Sequence, residues 1–187
     1  GGVLSSMVRR YEQCPWCGAV ASLCLRKAPA FYICLITLIR IDGSEIARTV
    51  GEGGHCEGQF YYPLDVRFTP CGQHLVVADR DNKRVQCLAL DGSVVCQMPL
   101  NCFPYAVAVD AVGNIIASTD TNVMVFSPGG TLVHNRLSGL VVHIAAHSGL
   151  SIDPSSGKIV VGGRIALEHP LEDRTAKNRL CCLVCLL

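Results

Sequence analysis

The sequence is poor in charge, and the charges it has nearly cancel. Charged residues make up 17% of the 187 residues, and the formal net charge is +1. Nucleic acids and anionic membrane surfaces are bound through an excess of Lys and Arg. A net charge this small supports neither kind of partner. We therefore expect a protein partner, and RNA remains the alternative.

Long hydrophobic runs are also missing, although half of the residues are apolar. The most apolar segment has an uninterrupted core of only residues 31–39. A membrane-spanning helix needs roughly 20 apolar residues, so no membrane span is expected. No apolar signal core follows Met7 directly, so no secretory signal is expected either. The chain does not begin with Met, and we interpret its start as that of a fragment.

Recognisable catalytic patterns are missing from the sequence as well. Six His and fifteen acidic residues produce no Ser-His-Asp or paired-carboxylate arrangement beyond coincidence. His143 and His147 stand four residues apart, but the Glu of the helical zinc-protease motif is absent and the neighbours favour a strand. We interpret both as ordinary histidines and predict a protein that is not an enzyme, with no cofactor and no small-molecule substrate.

Cysteine, by contrast, is abundant, with twelve residues at irregular spacing. Several of them, such as Cys87 and Cys96, stand where a strand pattern calls for Val or Ala. We interpret most of them as small buried hydrophobic residues in a reducing compartment, which predicts a cytoplasmic protein. A set of disulfides is the less favoured alternative.

One local cysteine pair resembles a metal-binding turn. Cys14-Pro15-Trp16-Cys17-Gly18 is similar to a zinc knuckle, which directs two thiolates at one zinc ion. A structural zinc site needs four ligands, and the only other Cys-x-x-Cys pair, Cys182 and Cys185, lies at the far end of the chain. Zinc, a redox pair and free thiols remain open here, and we predict no stoichiometric zinc at Cys14 and Cys17.

The stretch from residue 51 to residue 94 carries the strongest structural signal. A Gly-rich loop opens it, and apolar residues then recur with the period of β-strands between turn-forming residues. The pattern predicts strands near residues 64–68, 74–78, 84–90 and 94–98. Four short antiparallel strands within about 40 residues describe one blade of a β-propeller.

About ten ordered positions of this stretch resemble the NHL repeat, a propeller blade of TRIM-type ubiquitin ligases and many other proteins. They are the Gly-rich loop, Gln59-Phe60, Pro63, Gly72, Val77-Ala78-Asp79, Asn82, Arg84-Val85 and Asp91-Gly92. The resemblance implies an all-β propeller whose blade loops, gathered on one face, bind protein or RNA.

A second blade follows at the same spacing. Pro104 and Gly113 lie 41 residues after Pro63 and Gly72, and Asp120 corresponds to Asp79. The turn after Asp120 is three residues shorter and lacks the Arg of the family. Strands are predicted near residues 106–110, 114–118, 123–127 and 131–134. A third, partial repeat has a strand and turn at residues 149–154 and a strand at residues 159–161.

The two ends of the chain fit the repeat less well. Residues 31–50 are typical of the last hairpin of an earlier blade, whose first two strands are missing or replaced by unrelated residues. We therefore divide the chain into an N-terminal segment (residues 1–30), NHL-like blades (residues 31–167) and a C-terminal tail (residues 168–187). The predicted fold is an all-β, incomplete propeller with two recognisable four-stranded blades and two partial ones.

Asp79, Asn82, Arg84 and Asp120 match family positions, and we interpret them as structural residues. Asp79 can accept hydrogen bonds from turn amides and pair with Arg84. On this basis the change Asp79→Ala is expected to cost about 1 kcal/mol.

The predicted function is a non-enzymatic scaffold that binds protein partners through its blade loops. One alternative is a fragment of a six-bladed, metal-dependent hydrolase or lyase, because some six-bladed relatives carry metal ligands around the central channel. Another alternative is a truncated gene product without a function of its own.

Overall fold

The structure, a computed structural model, describes residues 6–13, 19–27, 32–40, 46–120, 122–136, 150–153, 157–164 and 180–185. Every regular element among these residues is a β-strand. The strands form four successive antiparallel sheets and one short parallel pairing. No helix in this part of the chain is long and apolar enough to cross a membrane.

The first sheet has four strands that pair in chain order. They are β1 (Ser6–Gln13), β2 (Ala19–Lys27), β3 (Tyr32–Arg40) and β4 (Ile46–Val50). The pairing of β3 with β4 is the hairpin predicted within residues 31–50. β1 and β2 fill the place of the two strands that the sequence left missing or replaced, because β2 pairs with β3 along its whole length. This sheet therefore continues across the proposed limit at residue 30.

A short parallel pairing leads into the two central sheets. It joins β5 (Glu52–Gly53) to β6 (Gln59–Phe60). The second sheet contains β7 (Pro63–Phe68), β8 (His74–Asp79), β9 (Arg84–Ala89) and β10 (Val94–Pro99). The third contains β11 (Pro104–Val109), β12 (Ile115–Thr119), β13 (Val123–Phe126) and β14 (Leu132–Arg136). All eight predicted strands are confirmed, each to within two residues at either end.

The last sheet has three strands in the described part of the chain. β15 (Leu150–Ile152) and β16 (Ile159–Arg164) confirm the two strands of the predicted partial blade. β17 (Leu180–Cys185) pairs with β16, although it comes from the segment that we separated as a tail. The blade therefore continues beyond the proposed limit at residue 167.

The second sheet is buried on both faces because it lies between the first and third sheets. Successive residues of β8 point to opposite sides. Leu75 and Val77 belong to the core shared with the first sheet, whereas Val76 and Ala78 belong to the core shared with the third sheet. A further core, which includes Ile116 of β12, lies between the third and last sheets.

The first strands of successive sheets lie side by side. β7 contacts both β1 and β11, and β11 in turn contacts β15. Four-stranded antiparallel sheets that follow one another in this way are the blades of a β-propeller. The fold is therefore the predicted all-β, incomplete propeller, with a first blade that is more complete than the sequence indicated.

Candidate functional site

The ends of the strands bring three connecting segments together at one end of the second sheet. These are the loop before β7 (residues 54–62), the turn between β8 and β9 (residues 80–83) and the link to the third sheet (residues 100–103). The Asp81 amide donates to the Tyr61 carbonyl over 3.0 Å, and the Leu100 amide donates to the Lys83 carbonyl over 2.8 Å. We call these three segments the loop face.

Asp79, the last residue of β8, binds two segments of the loop face through its side chain. Its side chain is 0% exposed. Oδ1 accepts a hydrogen bond from the Tyr61 amide at 2.8 Å, while Oδ2 accepts from Asn82 at 2.8 Å, Arg84 at 2.8 Å and Gln86 at 3.3 Å. Burial raises the pKa of Asp79, and the bonds from Asn82, Tyr61 and Arg84, with the charge of Arg84, oppose that rise. Both carboxylate oxygens thus accept hydrogen bonds that hold the loop in place.

Arg84, the first residue of β9, links the carboxylate to the loop before β7. Nε donates to Asp79, and Nη2 donates to the carbonyls of Cys56 and Gln59, each over 2.7 Å. Nη1 donates to the Gln97 side chain at 3.1 Å. Because a guanidinium presents a planar set of donors, one residue fixes two carbonyls and a carboxylate at once.

Asn82 and Gln86 complete this network. Asn82 Nδ2 donates to the Gly54 carbonyl over 2.9 Å, and Asn82 Oδ1 lies 2.6 Å from His55 Nδ1. Gln86 donates to the Gln59 carbonyl over 2.9 Å and accepts from the Gly58 amide over 3.1 Å. The sequence did not identify Gln86, because its place in an alternating strand suggested an exposed polar residue, yet it is buried.

Asp120, which corresponds to Asp79 in the third sheet, has different surroundings. Its Oδ1 atom is buried and has no hydrogen-bond partner among the described residues. The turn there is closed instead by Thr119, whose hydroxyl donates to the Asn122 carbonyl at 3.0 Å and accepts from the Asn122 amide at 2.9 Å. Asp120 therefore keeps the position of Asp79 in the repeat without the network that surrounds Asp79.

The exposed surface of the loop face combines cations with aromatic rings. The Arg80 guanidinium lies 4.9 Å from the ring centre of Phe103, 5.6 Å from that of Tyr105 and 5.7 Å from that of Tyr62. Lys83 Nζ lies 4.9 Å from the same Phe103 ring, and Arg80 also pairs with Asp81. We call Tyr62, Arg80, Lys83, Phe103 and Tyr105 the aromatic–cation cluster. It joins residues from two successive blades, and no single repeat reveals it in the sequence.

A second polar contact joins the two central sheets at their first strands. Asp65 of β7 is 0% exposed, and its Oδ2 accepts from the Val107 amide over 3.0 Å. Arg67 Nε donates to the Val107 carbonyl over 3.1 Å and lies near the Asp65 carboxylate. Both polar groups of one backbone residue of β11 are thus bound by β7. In the sequence both residues belong to the polar half of an alternating strand, which gives no sign of this contact.

The remaining sequence candidates are not placed by the structure. Cys14, Cys17, His143 and His147 lie outside the described residues, so the predictions made for them stay predictions. Within the part of the chain that is described, no three His, Cys, Asp or Glu side chains lie where they could share a metal ion. No disulfide joins the cysteines whose side chains are described, which are Cys56, Cys71, Cys87, Cys96 and Cys102.

Comparison with protein families confirms the blade indicated by the sequence. Residues 60–88, which cover most of the second sheet and its turns, match the NHL repeat. A search of the curated proteins by sequence finds no significant match.

Solved structures with a similar fold include three proteins of low sequence identity. A gluconolactonase from Xanthomonas campestris is 16% identical, with a TM-score of 0.58 over 82% of this chain and 52% of that chain. Hydrazine synthase from Kuenenia stuttgartiensis is 12% identical, with a TM-score of 0.61 over 87% and 44%. A luciferin-regenerating enzyme is 10% identical, with a TM-score of 0.59 over 90% and 57%. The chain spans about half the length of these structures, and at such identities the likeness concerns the fold alone.

Proposed function

We propose that this chain is a non-enzymatic interaction module that binds a protein partner through its loop face. The aromatic–cation cluster is the observation that carries the proposal. Arg and Tyr are enriched among the residues that dominate the energy of protein interfaces, because they combine a large apolar area with directed polar groups. Three rings around one guanidinium, drawn from two blades, supply such a surface.

The network below the cluster supports binding by a preformed surface. Asp79 and Arg84 tie the loop before β7 to the ends of β8 and β9 through short, charge-assisted hydrogen bonds. A loop held in this way loses little conformational freedom when a partner binds, and this lowers the cost of association. We therefore assign Asp79, Asn82 and Arg84 a supporting role and assign contact with the partner to the cluster.

The chemistry of the cluster indicates the kind of partner segment it suits. Phe103 and the tyrosine rings offer apolar contact, while the exposed Lys83 offers a positive charge. A segment with an apolar or aromatic side chain next to a carboxylate complements both features. Protein is favoured over RNA because the net charge is only +1. We also propose that the protein is cytoplasmic, because most of its many cysteines are interpreted as small buried residues in a reducing compartment.

The enzyme alternative is supported by a different observation, the likeness of the fold to a gluconolactonase and to a luciferin-regenerating enzyme. A fragment of a six-bladed metal-dependent enzyme would have such neighbours. A truncated product without autonomous function is compatible with a chain that spans about half of those structures.

A crosslinking experiment tests the binding proposal. A photoreactive phenylalanine analogue is placed at the position of Tyr61, which is 39% exposed at the loop face. The matched control carries it at Val112, which is 76% exposed in the turn at the opposite ends of the strands. In cytosolic extract we expect protein adducts from position 61 and not from position 112. The double variant Arg80→Ala/Lys83→Ala should reduce them about tenfold or more while the melting temperature is retained.

Three results would contradict the proposal. Equal amounts of protein adduct from positions 61 and 112 would show that the chain contacts proteins without a preference for the loop face. Adducts with RNA instead of protein, together with RNA affinity that falls steeply with salt, would replace the predicted partner. Turnover of gluconolactone by the purified chain, measured by acid release, would establish an enzyme.

A further inference from the structure

Two cysteines face each other across the outer pair of strands in the second sheet. Cys87 of β9 and Cys96 of β10 are direct partners in the antiparallel register. Both side chains therefore lie on the same face of the sheet, toward the core shared with the third sheet. The two thiols lie close enough to shift each other's pKa.

Residues that oppose each other in this way suit a covalent link. Their Cα atoms are about 4.5–5.5 Å apart in antiparallel sheets, and disulfides span Cα separations of about 4.4–6.8 Å. The register shifts between Val94 and Cys96, so Val95 is the extra residue of an irregularity in β10. Such an irregularity disrupts the ladder locally and bends the strand beside Cys96.

A cleft borders Cys87, one member of this pair. It has a volume of about 400 Å³ and is lined by residues that include Cys71, His74, Cys87 and Val95. Cys87 is only 3% exposed, whereas Cys96 is half-buried. The cleft lies at the end of the sheet opposite the loop face, near the turns that join β7 to β8 and β11 to β12.

The two thiols differ in reactivity. Burial raises the pKa of Cys87 to about 12, and the nearby Cys96 adds to that rise. Burial also raises the pKa of Cys96, and the effect of Cys87 opposes that rise only in part. Because the thiolate is the attacking species, Cys96 is the thiol that reacts first, and its greater exposure points the same way.

We propose that Cys87 and Cys96 form a reversible disulfide when the protein meets a low-molecular-weight disulfide such as oxidised glutathione. The Cys96 thiolate attacks one glutathione sulfur and expels the other glutathione as a thiol. The Cys87 sulfur then attacks Cys96 and expels the second glutathione. The two protein sulfurs lose two electrons to glutathione disulfide, and their two protons end on the released glutathione thiols.

The Cys87–Cys96 disulfide would lie at the contact between the second and third sheets. An ideal Cβ atom at Gly130, in the turn between β13 and β14, would lie 3.3 Å from Cys96 Sγ. A disulfide would therefore fix β10 to β9 directly beside the third sheet. This constrains the outer edge of the second sheet.

The position of Asp91 makes the test direct. Asp91 is the only acidic residue between the two cysteines, so a protease that cleaves before Asp separates fragments 81–90 and 91–109. The purified full chain is treated with oxidised glutathione, alkylated and digested without reduction. We expect the two fragments to stay linked, with a mass lower by two hydrogen atoms than their sum, and to separate after reduction.

Matched variants identify the partner, because fragment 91–109 also contains Cys102. Cys96→Ser should abolish the link, whereas Cys102→Ser should keep it. Oxidation should raise the melting temperature by roughly 5 °C, and Cys96→Ser should remove this rise. Cys87→Ala should abolish the link as well, and it leaves no polar group at this buried position.

The proposal is overturned if no linked fragments form while glutathione adducts accumulate on other cysteines. It is also overturned if Cys87 pairs with Cys71 or Cys102, or if the link forms only after the protein has unfolded.

Discussion

The second and third sheets have the same repeat spacing and the same Asp at the end of their second strand, yet they use it differently. Asp79 accepts four hydrogen bonds, from one backbone amide and three side chains. Asp120 has a buried oxygen without a partner among the described residues, and Thr119 closes the turn in its place. The same Asp therefore has a different role in each sheet. The shorter turn after Asp120 has no residue that corresponds to Arg84.

The inner strands of these sheets show the same contrast. β7 places Asp65 and Arg67 against the backbone of β11. The positions 41 residues later in β11 are Ala106 and Ala108, which pack in the apolar core shared with the last sheet. The contact between the second and third sheets thus adds polar, directional bonds to an apolar core, whereas the next contact depends on apolar burial at these positions.

The largest expected effect is that of Asp79→Ala. Removing the carboxylate leaves Arg84 buried without its ion partner and the Tyr61 amide without its acceptor. Loss of one member of a buried ion pair costs about 3–5 kcal/mol, and we expect a loss of about 3 kcal/mol in the free energy of unfolding. This exceeds the 1 kcal/mol or so expected from the sequence, because the sequence indicated neither the burial nor the number of donors. Urea unfolding measures it, and a loss below about 1 kcal/mol would contradict the network.

A smaller effect is expected from Asp65→Ala. The change removes the acceptor of the Val107 amide and leaves that amide unpaired between the sheets. An unsatisfied buried group costs about 1–3 kcal/mol, so we expect a loss of about 2 kcal/mol. In a double-mutant cycle with Arg67→Ala, the two changes should be strongly non-additive because both residues bind Val107. Additive losses would mean that the two residues act independently and not as one inter-sheet contact.

The smallest effect is expected from Asp120→Ala. Its buried oxygen receives no hydrogen bond from the described residues, so its removal leaves no donor there unpaired. We expect a change within about 1 kcal/mol of zero, in either direction. A loss as large as that from Asp79→Ala would show that both blades depend equally on this position.

The sequence predicts the strands of the two central sheets well because local signals specify them. Period-2 alternation, Pro63 and the Asp91-Gly92 turn are sufficient to place each strand. Polar residues within the strands are harder to interpret. In a sheet exposed on one side, Asp65 and Gln86 would face solvent, but blades are covered on both faces, so both residues are buried and hydrogen-bonded.

Strands β1, β2 and β17 were not predicted because their sequences lack the repeat's turn residues. β2 is placed by pairing with β3 and β17 by pairing with β16, which are recognisable strands, and β1 then pairs with β2. The aromatic–cation cluster was missed for a related reason. Arg80 and Phe103 are 23 positions apart and meet only where two blades are packed together.

The most direct test of the account is amide hydrogen exchange of the loop face in Asp79→Ala. The central claim is that this carboxylate holds the loop before β7 in place beneath the binding surface. We expect exchange within residues 54–62 to accelerate at least about tenfold more than exchange within β11, since losing one local bond of about 1.4 kcal/mol suffices for that factor. Equal acceleration in both regions, or none in the loop, would contradict the claim.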